Sequence, residues 1–335
     1  MAAGATAEQI RRVVQRGREM GLTPQVSHGW ERTVVGLVGP ESEPNLEKLS
    51  VLDGVETVVR VLHDHPLVSR DFHPEDRVIP LGRGLELGGA PVLMMAGPCA
   101  VESRNQLEAT AAAVSGLGVR ILRGGAFKPR SSPYSFQGMG EAGLLLLREV
   151  ADRFQMAVIS EVLAPEEVAM VAENADILQI GARNMQNFRL LQACGQVDRP
   201  VLLKRGLAAT IEELLQAAEY VLAGGNQRVA LCEHGLRGFE PSVRFSLDIT
   251  AVPVLNRVSS LPVVVDPSHA AGRAQYVPAI ARTAVAAGAD GLLVEVHPDP
   301  ATALSDGAQS LDPAAFAELV AQVGRVAAAV GRVAA

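Results

Sequence analysis

The stretch VLLKRGLAATIEELLQAAEYVLAGGNQRVALC, residues 201–232, holds one strand–helix–strand unit from end to end. Its apolar run 201–204 ends in a lysine. Thr210 and Glu213 then make a capping box, and Ile211, Leu214, Leu215, Ala218 and Leu222 fall on one face at helical spacing. A second apolar run, 228–232, follows. From Pro91 onward the same alternation occurs eight times, with apolar runs at 92–96, 119–122, 157–160, 177–180, 201–204, 228–232, 262–265 and 291–296. Eight β-α alternations predict a closed (β/α)8 barrel rather than an open sheet. The units share no fixed sequence period, which sets them apart from a solenoid. Hydrophobic residues make up 48% of the chain but aromatics only 4%. A core of Val, Leu, Ile and Ala follows, as parallel strands buried on both faces require.

Upstream of the barrel the pattern changes. Thr6 and Gln9 make a capping box ahead of Ile10, Val13, Val14 and Gly17 at helical spacing. Strand-like runs at 25–27 and 33–38, a short helix near 45–52 and a last strand at 55–62 complete an α-β-β-α-β order. This is a small α+β ferredoxin-like unit without its first strand, because residues 1–5 are too few and too small to supply it. Prolines and glycines crowd 67–90, which reads as a linker with a small hairpin around 82–84. The expected organisation is therefore 1–66, 67–90 and a barrel over 91–335.

Composition excludes several functions. A formal charge of −7 argues against a nucleic-acid binder, whose footprint is a net basic surface. No apolar run reaches about 18 residues, so no membrane span is expected. The N-terminus MAAGATAEQ lacks a basic-then-apolar signal pattern. Three cysteines, Cys99, Cys194 and Cys232, form no CxxC pair; a reduced, cytoplasmic chain is expected.

Barrel enzymes carry their chemistry at the C-terminal ends of the strands, and the ionisable residues of this chain collect there. The strands lead in turn to Cys99 with Glu102, to Arg123 and a cationic loop, to Glu161, to Arg183, to Lys204-Arg205, to Glu233-His234 with Arg237, to Asp266 with His269, and to Glu295 and His297 with Asp306 beyond. Two subsets separate by chemistry. Cys99, His269, Glu295 and Asp306 mix a thiol, an imidazole and two carboxylates, a set suited to a divalent Mn, Fe, Co or Zn ion. Arg123, Lys128, Arg130, Arg183, Lys204 and Arg237 are cations in excess of what one monophosphate needs, so two anionic substrates, or one that also carries a carboxylate, are expected. Lys204 has a second reading as a Schiff-base nucleophile of lowered pKa; the neighbouring cations and the metal set favour an electrostatic role. His234 and His297 are either acid–base groups or ordinary loop residues, and Cys194 and Cys232 read as core.

The motifs AGPCAVES (96–103), LRGGAFKPRSSPYSFQG (122–138), IGARNMQNF (180–188), LLKRG (202–206), CEHGLRGFE (232–240), VDPSHAAGR (265–273) and VEVHP with ALSDGAQSL (294–311) occur in order across the chain. In these the sequence resembles 3-deoxy-D-arabino-heptulosonate 7-phosphate synthases of the short, Iβ type, which carry an N-terminal ferredoxin-like regulatory domain. The resemblance implies a transferase that condenses phosphoenolpyruvate with D-erythrose 4-phosphate at the entry to the shikimate pathway. It implies Cys99, His269, Glu295 and Asp306 as metal ligands. Arg123, Lys128, Arg183, Lys204 and Arg237 then surround phosphoenolpyruvate, with Arg123, Lys128 and Lys204 catalytic. Arg130 and Ser131 hold the erythrose phosphate; the family has Thr at the latter position, which keeps the hydroxyl. A homotetramer and a tyrosine or phenylalanine effector are implied as well. The alternatives are the octulosonate 8-phosphate synthases, which are bare barrels with a KANRS form of the loop that here reads KPRSS, a Schiff-base aldolase using Lys204, and a non-catalytic ligand-sensing barrel.

Overall fold

The computed structural model describes residues 1–29, 32–39, 47–59, 65–129 and 132–334. The chain divides into two compact units: Met1–Arg77 with Val258–Ser260, and Val78–Arg257 with Leu261–Ala335. This partition puts 67–77 with the first unit and 78–90 with the second, where the sequence suggested one linker.

In the first unit, α1 (Ala7–Glu19) starts at the Thr6–Gln9 capping box: Gln9 N–H donates to Thr6 Oγ1 at 3.3 Å and Thr6 N–H to Gln9 Oε1 at 2.8 Å. Its buried residues are Val13 and Gly17. A Cβ at position 17 would meet the tip of the Leu37 side chain, which would have to shift to make room. That sheet pairs β1 (Thr23–His28) antiparallel with β2 (Thr33–Val38), and α2 (Glu47–Ser50) follows. The strand expected at 55–62 is not formed over 55–59, and 60–64 lie outside the described residues. Val55, Val58 and Val59 have strand propensity, but a strand exists only with a ladder partner. Here Ala2 N–H instead donates to the Gly54 carbonyl at 2.8 Å, and the Met1 ammonium to the Thr33 carbonyl at 2.9 Å.

The second unit opens with an antiparallel hairpin of β3 (Ile79–Gly82) and β4 (Leu85–Leu87), which turns through Arg83 and Gly84 at positive φ. Eight parallel strands come next: β5 (Pro91–Gly97), β6 (Ile121–Arg123), β7 (Ala157–Val162), β8 (Ile177–Ile180), β9 (Val201–Lys204), β10 (Val229–Glu233), β11 (Val263–Val265) and β12 (Gly291–Glu295). They pair in chain order, and β12 closes onto β5 with Gly291 opposite Leu93 and Glu295 opposite Gly97. The expected barrel is what forms. Ile79, Leu81, Leu85 and Leu87 of the hairpin share one buried cluster with Leu93, Ile121, Ala157, Ile177, Leu202 and Ala230. These barrel residues lie early in their strands, so the hairpin plugs the N-terminal mouth and leaves the C-terminal rim for chemistry.

The helices of this unit are α3 (Arg104–Ser115), α4 (Gly140–Arg153), α5 (Val168–Asn174), α6 (Phe188–Gly195), α7 (Ile211–Ala223), α8 (Ala251–Val258), α9 (Pro267–Ala271), α10 (Val277–Ala286) and α11 (Pro313–Ala329). α7 buries Leu214, Leu215, Ala218 and Leu222. At its start Glu213 N–H donates to Thr210 Oγ1 at 3.1 Å and Thr210 N–H to Glu213 Oε2 at 2.7 Å. Thr210→Ala removes one acceptor and is expected to cost about 1 kcal/mol in a urea titration, with the slope of the transition unchanged. Among the described residues no helix is long and apolar enough to cross a membrane.

Candidate active site at the C-terminal rim

Four donors converge where β5, β11 and β12 end. Gly97, the last residue of β5, has a φ of 154°, and a side chain there would collide with the Arg123 carbonyl oxygen. Glycine thus lets β5 and β6 close up and delivers Cys99 and Arg123 to the same place. His269 stands on α9, Glu295 ends β12, and Asp306 sits in the following loop in the left-handed conformation, φ 53°. One ligand atom from each of Cys99, His269, Glu295 and Asp306 lies within 4.8 Å of every other. The sulfur of Cys99 is 3.4 Å from Asp306 Oδ2, and His269 Nε2 is 3.4 Å from Glu295 Oε1 and 3.6 Å from Asp306 Oδ2.

This donor set fits a divalent ion. His269 Nδ1 is 2.7 Å from Asp266 Oδ2, so the proton belongs on Nδ1 and the Nε2 lone pair faces two carboxylate oxygens. Lone pair against lone pair is repulsive, so this approach requires positive charge between them, supplied either by a second proton on Nε2 or by a bound cation. Burial, and then Glu295, push the Cys99 thiol up to about 12; only a cation at this point makes it a thiolate near neutral pH. Burial alone would raise the carboxyl of Asp306, but Arg244 and His269 outweigh it and hold the value at about 2.

Asp266, to which the sequence assigned no role, is the hub beneath these donors. It is fully buried, and its Oδ2 accepts from Lys204 Nζ at 2.5 Å as well as from His269 Nδ1, while Oδ1 takes the His269 N–H at 2.9 Å. Its position three residues before His269, at a helix start, was a legible signal. Burial works to lower the pKa of Lys204, and the Asp266 carboxylate outweighs it, so the ammonium is held above its ordinary value. A lysine so paired is no free amine. Arg123 donates to Glu295 Oε1 at 2.5 Å, and Gln309 Nε2 donates to Glu295 Oε2 at 2.6 Å.

A cavity of about 350 Å³ adjoins the donor cluster and shares His269 and Asp306 with it. Five cations line it, Arg123, Lys128, Arg183, Lys204 and Arg244, against two lining carboxylates, Glu161 and Asp306. Lys128 Nζ donates to the Cys99 carbonyl at 3.0 Å, which draws the loop after β6 over the cluster. Arg237 is exposed and does not line the cavity; its backbone N–H donates to the Leu207 carbonyl at 2.8 Å. Arg130 and Ser131 lie outside the described residues. The sequence missed Arg244, which pairs with Asp306 at 3.1 Å, because no strand ends beside it. His234 lines the cavity too. Burial and then Lys204 lower its pKa to about 3, so it is neutral, and its buried Nδ1 has no partner among the described residues.

Residues 79–329 match the sequence model of the DAHP synthetase I family, and residues 1–63 that of the DAHP synthase ferredoxin-like domain. Over 328 residues the chain is 52% identical to the phospho-2-dehydro-3-deoxyheptonate aldolase of Thermotoga maritima, covering 98% of this chain and 97% of that protein. A 2-dehydro-3-deoxyphosphooctonate aldolase from Desulfatibacillum aliphaticivorans is 35% identical over 251 residues, 69% of this chain and 90% of its own. Among solved structures, the DAHP synthase of Thermotoga maritima covers 100% of this chain and 98% of its own, with a TM-score of 0.80 at 51% identity. With barrel and N-terminal unit both matched, and a relative of more than half identity along nearly its whole length, the chain belongs to the DAHP synthetase I family of enzymes.

Proposed function

We propose that the enzyme condenses phosphoenolpyruvate with D-erythrose 4-phosphate and water to give 3-deoxy-D-arabino-heptulosonate 7-phosphate and phosphate, with a divalent ion held by Cys99, His269, Glu295 and Asp306. The observation that carries this is the excess of cations over carboxylates around a cavity that shares two residues with a mixed thiol, imidazole and carboxylate cluster. Phosphoenolpyruvate brings a phosphate and a carboxylate, and the sugar brings a second phosphate. Arg123, Lys128, Arg183 and Lys204 would hold the enol phosphate, with Arg130 and Ser131 on the sugar phosphate. Arg237, named with these four by the family resemblance, is exposed outside the cavity lining, and Arg244 is a further cation that lines it.

Bond formation joins C3 of the enol to the aldehyde carbon, the aldehyde oxygen gains charge, and C2 must then capture water before phosphate leaves. The bound ion would supply Lewis acidity at the aldehyde oxygen. Lys128, close over the Cys99 carbonyl, is the acid that hands a proton to the nascent alkoxide. Glu161 lines the cavity, and its carboxylate has no hydrogen-bond partner among the described residues, which suits it to take the proton of the incoming water. Lys204, fixed by Asp266, orients phosphate rather than attacking a carbonyl. The N-terminal unit, matched by the family's ferredoxin-like domain, is where a tyrosine or phenylalanine effector would act, in a cytoplasmic homotetramer.

Metal-stripped enzyme given phosphoenolpyruvate with erythrose 4-phosphate is expected to consume the enol, read by ultraviolet absorbance, only after Mn is restored. Consumption with arabinose 5-phosphate instead would assign the octulosonate reaction, which the match of the heptonate relative over both units disfavours. Borohydride should trap no adduct; an adduct on Lys204 would establish the Schiff-base route.

A further inference from the structure

Away from the cavity, two buried groups join the loops that carry Cys99 and Asp306. Glu102 stands three residues after Cys99, and its side chain is 9% exposed; His297 follows β12 and is 5% exposed. Asp299 N–H donates to His297 Nδ1 at 3.1 Å, which leaves the ring proton on Nε2, 3.4 Å from Glu102 Oε2. The other oxygen of Glu102, Oε1, accepts the backbone N–H of Leu304 at 2.9 Å. Next in the chain are Ser305, whose Oγ is 3.0 Å from the Cys99 sulfur, and Asp306.

Within the loop that presents Asp306, Ser305, Gln309 and Ser310 are buried, whereas Leu304, at 53% exposed, has no apolar anchor and is held through its backbone N–H on Glu102. Asp306 takes a left-handed conformation that is strained for a non-glycine residue and persists only where the surroundings impose it. Burying a carboxylate against an imidazole contributes little net stability; what it supplies is geometry.

We propose that Glu102 and His297 form a positioning pair that sets the separation of Cys99 and Asp306 and with it the enzyme's affinity for its divalent ion. The inference rests on the four-ligand metal site proposed above. Neither residue lines the cavity or belongs to the four-donor cluster. Groups that hold metal ligands in place typically contribute about 10- to 100-fold in affinity.

The test is titration of Co(II) into metal-stripped enzyme, followed through thiolate-to-cobalt and ligand-field absorbance. Wild type is expected to develop both bands. Glu102→Ala should raise the Co(II) Kd about 30-fold and His297→Ala about 10-fold, with kcat recovered at saturating Co(II) and the KM for phosphoenolpyruvate unchanged. Glu102→Gln, which keeps an acceptor for the Leu304 N–H, should lie within a few-fold of wild type. The double alanine variant should bind no more weakly than Glu102→Ala, because the two residues act as one unit. Glu102→Ala and His297→Ala both binding within twofold of wild type would overturn the inference; should Glu102→Ala fail to fold, His297→Ala decides alone. Absence of bands in wild type would instead remove the metal site on which the inference stands.

Discussion

Asp266→Ala is expected to abolish activity and to cost about 3–5 kcal/mol of stability, the penalty for stranding one half of a buried ion pair. The residue is fully buried and serves Lys204 and His269 at once. Its loss leaves the Lys204 ammonium without a counter-charge and frees the imidazole to rotate or change tautomer. Turnover should fall by at least about a thousandfold, equivalent to roughly 4 kcal/mol. Asp266→Asn separates the two effects, since it keeps the shape and removes the charge. Burial by itself would raise the Asp266 carboxyl, and His269 and Lys204 outweigh it and hold it well below the usual aspartate range. A depressed folded pKa contributes stability that is fully present above the unfolded value of about 3.9 and is lost as pH falls through the folded value. Urea titrations of wild type and Asp266→Asn should therefore differ most near pH 7, and the gap should begin to narrow only as pH falls below about 4. A gap that widened in acid would contradict the assignment.

Cys99→Ala is the second substitution with a large expected effect, and its signature is different. The side chain is small, sits beside Ser305 and carries no structural charge, so the fold should survive with a modest loss, about 1 kcal/mol. The proposed divalent site would lose its only soft ligand. Co(II) should still be drawn to His269, Glu295 and Asp306, but without the thiolate-to-cobalt band, and more weakly. Activity should drop about a thousandfold, the scale of several kcal/mol of Lewis-acid stabilisation. The ratio of the two changes decides the point: a folded protein that had lost turnover but kept wild-type Co(II) affinity and spectrum would show that Cys99 is not a ligand.

Much of the fold is legible in the residue pattern alone. The capped, one-faced pattern over 210–222 is a helix by local physics, and its alternation with apolar runs too short for helices points to a barrel. Strands β8 and β9 formed at the residues expected, 177–180 and 201–204. The strand expected at 55–62 fared differently. Its β-branched residues state a preference, but a strand needs an edge to pair with, and that lies outside its own sequence.

At the rim, residue order along the chain already set which chemistry was on hand. Cys99, His269, Glu295 and Asp306 follow strands that the alternation makes neighbours, so their convergence follows from barrel closure. Which other side chains share that space is a matter of the folded chain. Arg237 and Arg244 are alike in sequence terms, and the loop after β10 turns one outward and the other onto Asp306. Asp266 and Glu102 look like ordinary acids until the closed barrel buries each against its partners, Lys204 and His269 for one, His297 and the Leu304 N–H for the other. Periodicity along a chain encodes which face is buried. The partner of a buried charge is set by distances across strands far apart in sequence, and those exist only once the barrel has closed.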